Sequence, residues 1–181
     1  MTRRSIVLVV TLVAVLLAVV TAPARAVPPS PNHVPSPPLG RVVATFNHGG
    51  NPANGQVVCS AQGERIDSNN DHIADGLRGR AACTETSGVA RLRISDVSLE
   101  ALIGGAWRII AKDDNDLVVS ADPATAVWYT PVPGICPGST ALRTYRVIHA
   151  DGIRWSDGQA TNVTVASNQF TARAAANTDV C

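Results

Sequence analysis

Between residues 67 and 76 the chain reads Asp67-Ser68-Asn69-Asn70-Asp71-His72-Ile73-Ala74-Asp75-Gly76. Oxygen-bearing side chains fall on alternate residues and return at Asp75, with apolar Ile73 between. Calcium asks for this chemistry: it takes about six to eight oxygens at roughly 2.3–2.6 Å. A chain that turns while presenting Asp and Asn on alternate residues can aim several side chains and one backbone carbonyl at a single ion. The competing reading is an acidic hairpin loop whose Asp and Asn side chains cap their own backbone. A second acidic run, Asp113-Asp114-Asn115-Asp116, has consecutive spacing and reads as a solvated turn.

The decapeptide resembles the thrombospondin type 3 calcium repeat and, more distantly, the EF-hand and dockerin loops. That resemblance implies side-chain ligands from Asp67, Asn69, Asp71 and Asp75, a carbonyl ligand from Ile73, and a structural Ca2+. Two positions depart from the pattern. The glycine of the sixth position is His72, and the bidentate Glu that an EF-hand has at the twelfth is Arg78. An ion held here needs a donor from elsewhere, and Glu64 and Glu85 are the candidates. A single repeat is present, whereas thrombospondin type 3 modules occur in tandem.

The residues that could act on a covalent bond do not assemble. His33 lies in a proline-rich stretch, His48 and His72 in loops, and His149 on a strand face shared with Tyr145 and Val147, as a core or edge histidine would. No G-x-S-x-G elbow, H-E-x-x-H pair or phosphate-binding glycine loop occurs. The chain is therefore expected not to be an enzyme. Trp107, Trp128, Trp155 and Tyr129 could stack on sugars, but in so aromatic-poor a chain they read first as core. Asn162-Val163-Thr164 matches a glycosylation sequon and reads as ordinary alternating strand.

The address of the protein is written at its start. Arg3 and Arg4 precede an apolar run from Ile6 to Val20, and Ala24-Arg25-Ala26 offers a small-x-small cleavage site. The run is shorter than the roughly 20 residues that span a bilayer. Residues 1–26 are expected to be a signal peptide and the mature protein to be secreted. Residues 27–40 carry six of the twelve prolines and read as an extended, flexible linker. Residues 41–181 are the expected folded domain.

In an oxidising compartment four cysteines, Cys59, Cys83, Cys136 and Cys181, read as two disulfides. Four cysteines allow three pairings, and the shortest loops favour Cys59–Cys83 with Cys136–Cys181. Zinc is disfavoured by the lack of any C-x-x-C spacing. Three arginines leave with the signal, so twelve basic residues face fourteen acidic ones, a net charge near −2. That balance argues against nucleic acid or an anionic membrane as a partner. An extracellular protein or polysaccharide is the expected partner of a monomeric mature chain.

From Arg41 onward short strands alternate with turns. Period-two pairs recur, as in Leu92/Ile94, Val97/Leu99/Ala101, Trp107/Ile109/Ala111 and Tyr145/Val147/His149. Ser95-Asp96 switches the apolar parity, as a bulge or tight turn would. Asp151-Gly152 between apolar segments signals a hairpin turn, and Ala172–Thr178 a helical turn at most. The expected fold is all-β, an antiparallel β-sandwich of about seven to nine strands. Residues 142–178, with Tyr145-x-Val147 and Trp155-Ser156-Asp157-Gly158, faintly resemble the last strands of immunoglobulin-like and fibronectin type III domains. The expected function is a non-enzymatic binding or structural module. The alternative is a secreted protease inhibitor or effector that presents the proline-stiffened loop Tyr129–Thr140.

Overall fold

Residues with β-branched and aromatic side chains at period two need a partner for their apolar face, and two sheets supply it for each other. The computed structural model describes residues 37–67, 70–71, 73–119, 125–136 and 140–175; the expected signal 1–26 and Cys181 lie outside them. Ten strands run as β1 (Leu39–Asn47), β2 (Gln56–Ile66), β3 (Gly76–Ser87), β4 (Val89–Ile103) and β5 (Ala106–Asp113), then β6 (Leu117–Val119), β7 (Thr125–Tyr129), β8 (Leu142–Trp155), β9 (Ala160–Ala166) and β10 (Phe170–Arg173). They form an antiparallel sandwich: a four-stranded sheet ordered β1-β2-β3-β7 packs against a six-stranded sheet built on β10-β8-β4-β5. In the larger sheet β6 also pairs with β4, and β9 with β8. Among the described residues no helix is long and apolar enough to cross a membrane.

The count exceeds the seven to nine strands expected because short strands flank the long ones. Residues 172–178 were expected to form a helical turn at most; 176–178 lie outside the described residues, and Ala172 and Arg173 belong to β10. A strand forms here because Phe170, Ala172 and Ala174 alternate into the core and the Tyr145 hydroxyl ties down its end. That hydroxyl donates to the Arg173 carbonyl at 2.9 Å and accepts from the Ala175 amide at 2.9 Å. Burial pushes the Tyr145 phenol above its usual pKa, against the pull of the Ala175 N–H. β1 begins at Leu39, so the end of the proline-rich stretch joins the sheet.

Asp151-Gly152 is not a turn. Both residues lie inside β8, where Asp151 points inward and Gly152 outward. Turn chemistry loses here because the inward carboxyl finds a partner two residues earlier. The real turns lie elsewhere. Gly104-Gly105, at φ 60° and 80°, make the two-residue connection of the β4–β5 hairpin; two positive φ values suit the strand twist and favour glycine. The parity switch at Ser95-Asp96 is a register shift in the β4–β8 ladder between Ile94 and Asp96.

The core divides its volume unequally. The smaller sheet contributes Ala61, Gly63, Gly79 and Ala81, while the larger brings Tyr145, Trp155 and Phe170. A β-carbon on Gly63 would overlap the edge of the Phe170 ring at Cζ, so glycine lets the two sheets close on this aromatic. Phe170 in turn stacks on Tyr145 at 5.8 Å between centroids.

Candidate functional site

The 67–76 segment is the loop of the β2–β3 hairpin, whose ladder ends at Ile66 opposite Gly76. Asp67 is 3% exposed, and its Oδ1 accepts the Asp71 amide at 3.2 Å. Asp71 Oδ1 accepts the Ile73 amide at 2.8 Å, and Asn70 takes the left-handed φ of 62°. These are the backbone-capping turns of the competing reading. Asn69 and His72 lie outside the described residues. The Asp75 amide donates to the Ile66 carbonyl and its carbonyl accepts from Ile135, so the base of the loop is closed. Ile73 is exposed.

One group of three potential metal-ligating His, Cys, Asp or Glu atoms within 4.8 Å of one another occurs among the described residues, and it is not in this loop. The carboxylates of Asp67, Asp71 and Asp75 do not form such a group among the described residues.

Neither candidate extra donor faces the loop. Glu64 lies across the ladder from Arg78 and is ion-paired with it at 2.8 Å, both side chains under a tenth exposed. The Arg78 guanidinium also lies 3.9 Å from the centroid of the Tyr129 ring. Glu85 sits near the far end of β3 and accepts the Val89 amide. Arg78, the residue in place of the EF-hand glutamate, thus belongs to a buried ion pair on the smaller sheet.

Cys59 and Cys83 are bonded to each other, as the short-loop rule expects, and are direct partners in the β2–β3 ladder. Cys136 is also disulfide-bonded; its expected partner, Cys181, lies outside the described residues. The three metal-compatible atoms are those of Cys59, Cys83 and Asp151, and with two of them joined as a cystine the group is not a ligand set. It marks a polar seam in the core. His149 Nδ1 meets Asp151 Oδ1 at 2.9 Å, with both side chains fully buried. His149 Nε2 lies 3.1 Å from the Ser60 carbonyl of the facing sheet, and a carbonyl only accepts, so this nitrogen carries a proton. The second oxygen of Asp151 has no hydrogen-bond partner among the described residues. His149 is therefore the core histidine its strand parity indicates.

His48 stacks on Trp155 at 4.9 Å and meets Asp157 at 2.8 Å. The Gln159 amide first, and His48 second, hold the Asp157 carboxyl below the usual range. Of the tryptophans, Trp128 and Trp155 are core, whereas Trp107 lies on the outer face with the Arg146 guanidinium 4.3 Å from its ring centroid. Residues 131–136 of the proline-stiffened loop are bonded on both sides. Leu77 donates to the Pro133 carbonyl, and Cys136 to the Ala174 carbonyl. That part of the loop is sewn into the fold rather than held out from it.

The sequence did not single out the feature that collects recognition chemistry in one place. A groove of about 280 Å³ opens on the outer face of the larger sheet, lined by Arg91, Arg93, Asp116, Val118, Arg154 and Asn162 among others. Its layout follows from register. Arg93 stands across from Gly152 on one side and Val118 on the other, Gly152 is paired with Asn162, and Arg91 stands opposite Arg154. Gly152 leaves the floor bare: a β-carbon there would meet only ordinary contacts, the nearest at 3.7 Å. Arg93 is ion-paired with Asp116 at 2.6 Å. The signal available in sequence was Arg91-x-Arg93 on the polar parity of a strand whose Leu92 and Ile94 face inward. Compared with protein-family models the chain matches none, and a search of curated proteins finds no match either.

Proposed function

We propose that the chain is a secreted, non-enzymatic binding module whose ligand seat is the groove on the outer face of the larger sheet. The observation that carries this reading is the convergence of three guanidiniums, an amide and a glycine floor from three adjacent strands. These groups recognise; none is a nucleophile placed beside a base. A rigid sheet is a good mount for them, because side chains on a ladder keep their spacing. The groove can be plugged without disturbing the core, since a Gly152→Leu side chain would project into it. We expect the mature protein to be retained by at least one material in a panel of extracellular polysaccharides, cell-wall fractions and extracellular proteins, and Gly152→Leu to abolish the retention at unchanged melting temperature. No retention by any member, or retention indifferent to Gly152→Leu, would refute the groove as the seat.

Calcium is a second element of this reading, supported by the closed base of the hairpin and the near-complete burial of Asp67. An ion would have to draw the loop's carboxylates together, so affinity in the weak extracellular range of about 10⁻⁴–10⁻³ M is expected. At about 10 mM calcium such a site stabilises the fold by about 1–3 kcal/mol. Calcium should therefore raise the melting temperature, and Asp67→Ala with Asp71→Ala should remove the rise. A melting curve indifferent to calcium and to chelator rules the ion out.

A further inference from the structure

The ligand class can be read from the charges that the groove leaves unanswered, granted that the groove is the binding seat. On the outer face of the larger sheet basic side chains are matched to carboxylates: Arg93 to Asp116, Lys112 to Asp96, and Arg146 to Glu100. Arg91 and Arg154 have no such match among the described residues. They are exposed, direct neighbours across the β4–β8 ladder, and neither makes an ion pair or side-chain hydrogen bond among the described residues. Like charges directly opposite each other on a sheet repel. The fold tolerates that repulsion at the rim of a groove.

A guanidinium is a planar fork of donors that matches the two terminal oxygens of a carboxylate, phosphate or sulfate ester. Two such forks side by side are complementary to one oxyanion bridging them, and the bridge would cancel the repulsion. The other walls suit an uncharged body. Val118 and Ala160 offer methyl groups, and the Asn162 amide offers both donor and acceptor to hydroxyls. At about 280 Å³ the space falls just below the range of roughly 300–1,000 Å³ for drug-sized ligands, which leaves room for one sugar ring with its charged substituent. The groove is open, so a polymer could continue past it. A nucleic acid would need a broad basic surface, and the mature chain is weakly acidic.

We propose that the groove takes one oxyanion-bearing sugar unit of an extracellular polysaccharide, its anion between Arg91 and Arg154 and its ring against Val118, Ala160 and Asn162. The test is calorimetric titration of the mature protein with a uronate oligosaccharide, its methyl ester, a sugar phosphate and inorganic phosphate, repeated with Arg91→Gln and Arg154→Gln. The uronate oligosaccharide or the sugar phosphate should bind, the tighter of the two naming the anion. The ester should bind about tenfold more weakly or not at all. Each glutamine variant should lose about tenfold in affinity while its melting temperature holds or rises, because the unliganded repulsion is gone. That opposite movement separates a binding role from a structural one. Equal binding of the ester, with loss on Gly152→Leu, keeps the groove as the seat but overturns the anion. Inorganic phosphate binding as tightly as either sugar overturns the glycan. No binding by any probe overturns both.

Discussion

Asp151→Ala should lower the unfolding free energy of the protein by about 3–5 kcal/mol in urea denaturation, the cost of removing one member of a buried, hydrogen-bonded pair. The argument starts at Ser60, whose carbonyl fixes a proton on His149 Nε2. The other ring nitrogen then has only Asp151 to bond, and both side chains are fully buried. Alanine strands that nitrogen between two sheets, beside a cystine and out of reach of water. Asp151→Asn should be milder, at about 1–2 kcal/mol, since a neutral amide can still donate to Nδ1. The ranking matters as much as the size. If alanine costs under about 1 kcal/mol, or if asparagine costs as much as alanine, the pair is not the polar tie between the sheets that its geometry describes.

The second large effect belongs to Cys59–Cys83. Replacing both cysteines with alanine should cost about 3–5 kcal/mol, part from the loop freed in the unfolded chain and part from lost packing. Both residues are fully buried, so a thiol reductant must wait for the sandwich to open. Alkylation mapped by mass spectrometry should show this bridge reduced at the rate of global unfolding, with the rate rising in step with denaturant. Prompt reduction of a protein that keeps its circular dichroism would contradict that. A domain of this size has about 5–15 kcal/mol in all, so either loss removes a large share of it.

How far the sequence reaches is clear from particular residues. The alternation of Leu92/Ile94, Val97/Leu99 and Tyr145/Val147/His149 is a property of single strands, and it located parts of both central strands, though it broke β4 at Ser95-Asp96, where a bulge and a tight turn look alike, ended β8 early, and placed His149 in the core or at an edge. The Cys59–Cys83 pair followed from loop length, a local quantity. Asp151-Gly152 misled because a dipeptide reports only its own backbone preference, and here a hydrogen bond to His149 outweighs it. The acidic decapeptide gave the spacing of its oxygens but not their convergence, which depends on how the loop turns; Asp67 and Asp71 cap amides. The groove was the least legible feature, because Arg91, Arg154 and Asn162 lie on three strands and meet only through register.

The flanks of the larger sheet carry a consequence for a protein at high local concentration. Its two long central strands are bordered on each side by two shorter ones, β5 with β6 and β9 with β10, and two of these are only three and four residues long. The smaller sheet's outer strand, β1, has a register shift between Leu39 and Val42. Interrupted borders of this kind offer no long row of open amides for a second copy to zip onto, which discourages fibril growth. A fold whose described residues are more than two-thirds strand can thereby stay dispersed while keeping the broad outer face of the larger sheet open.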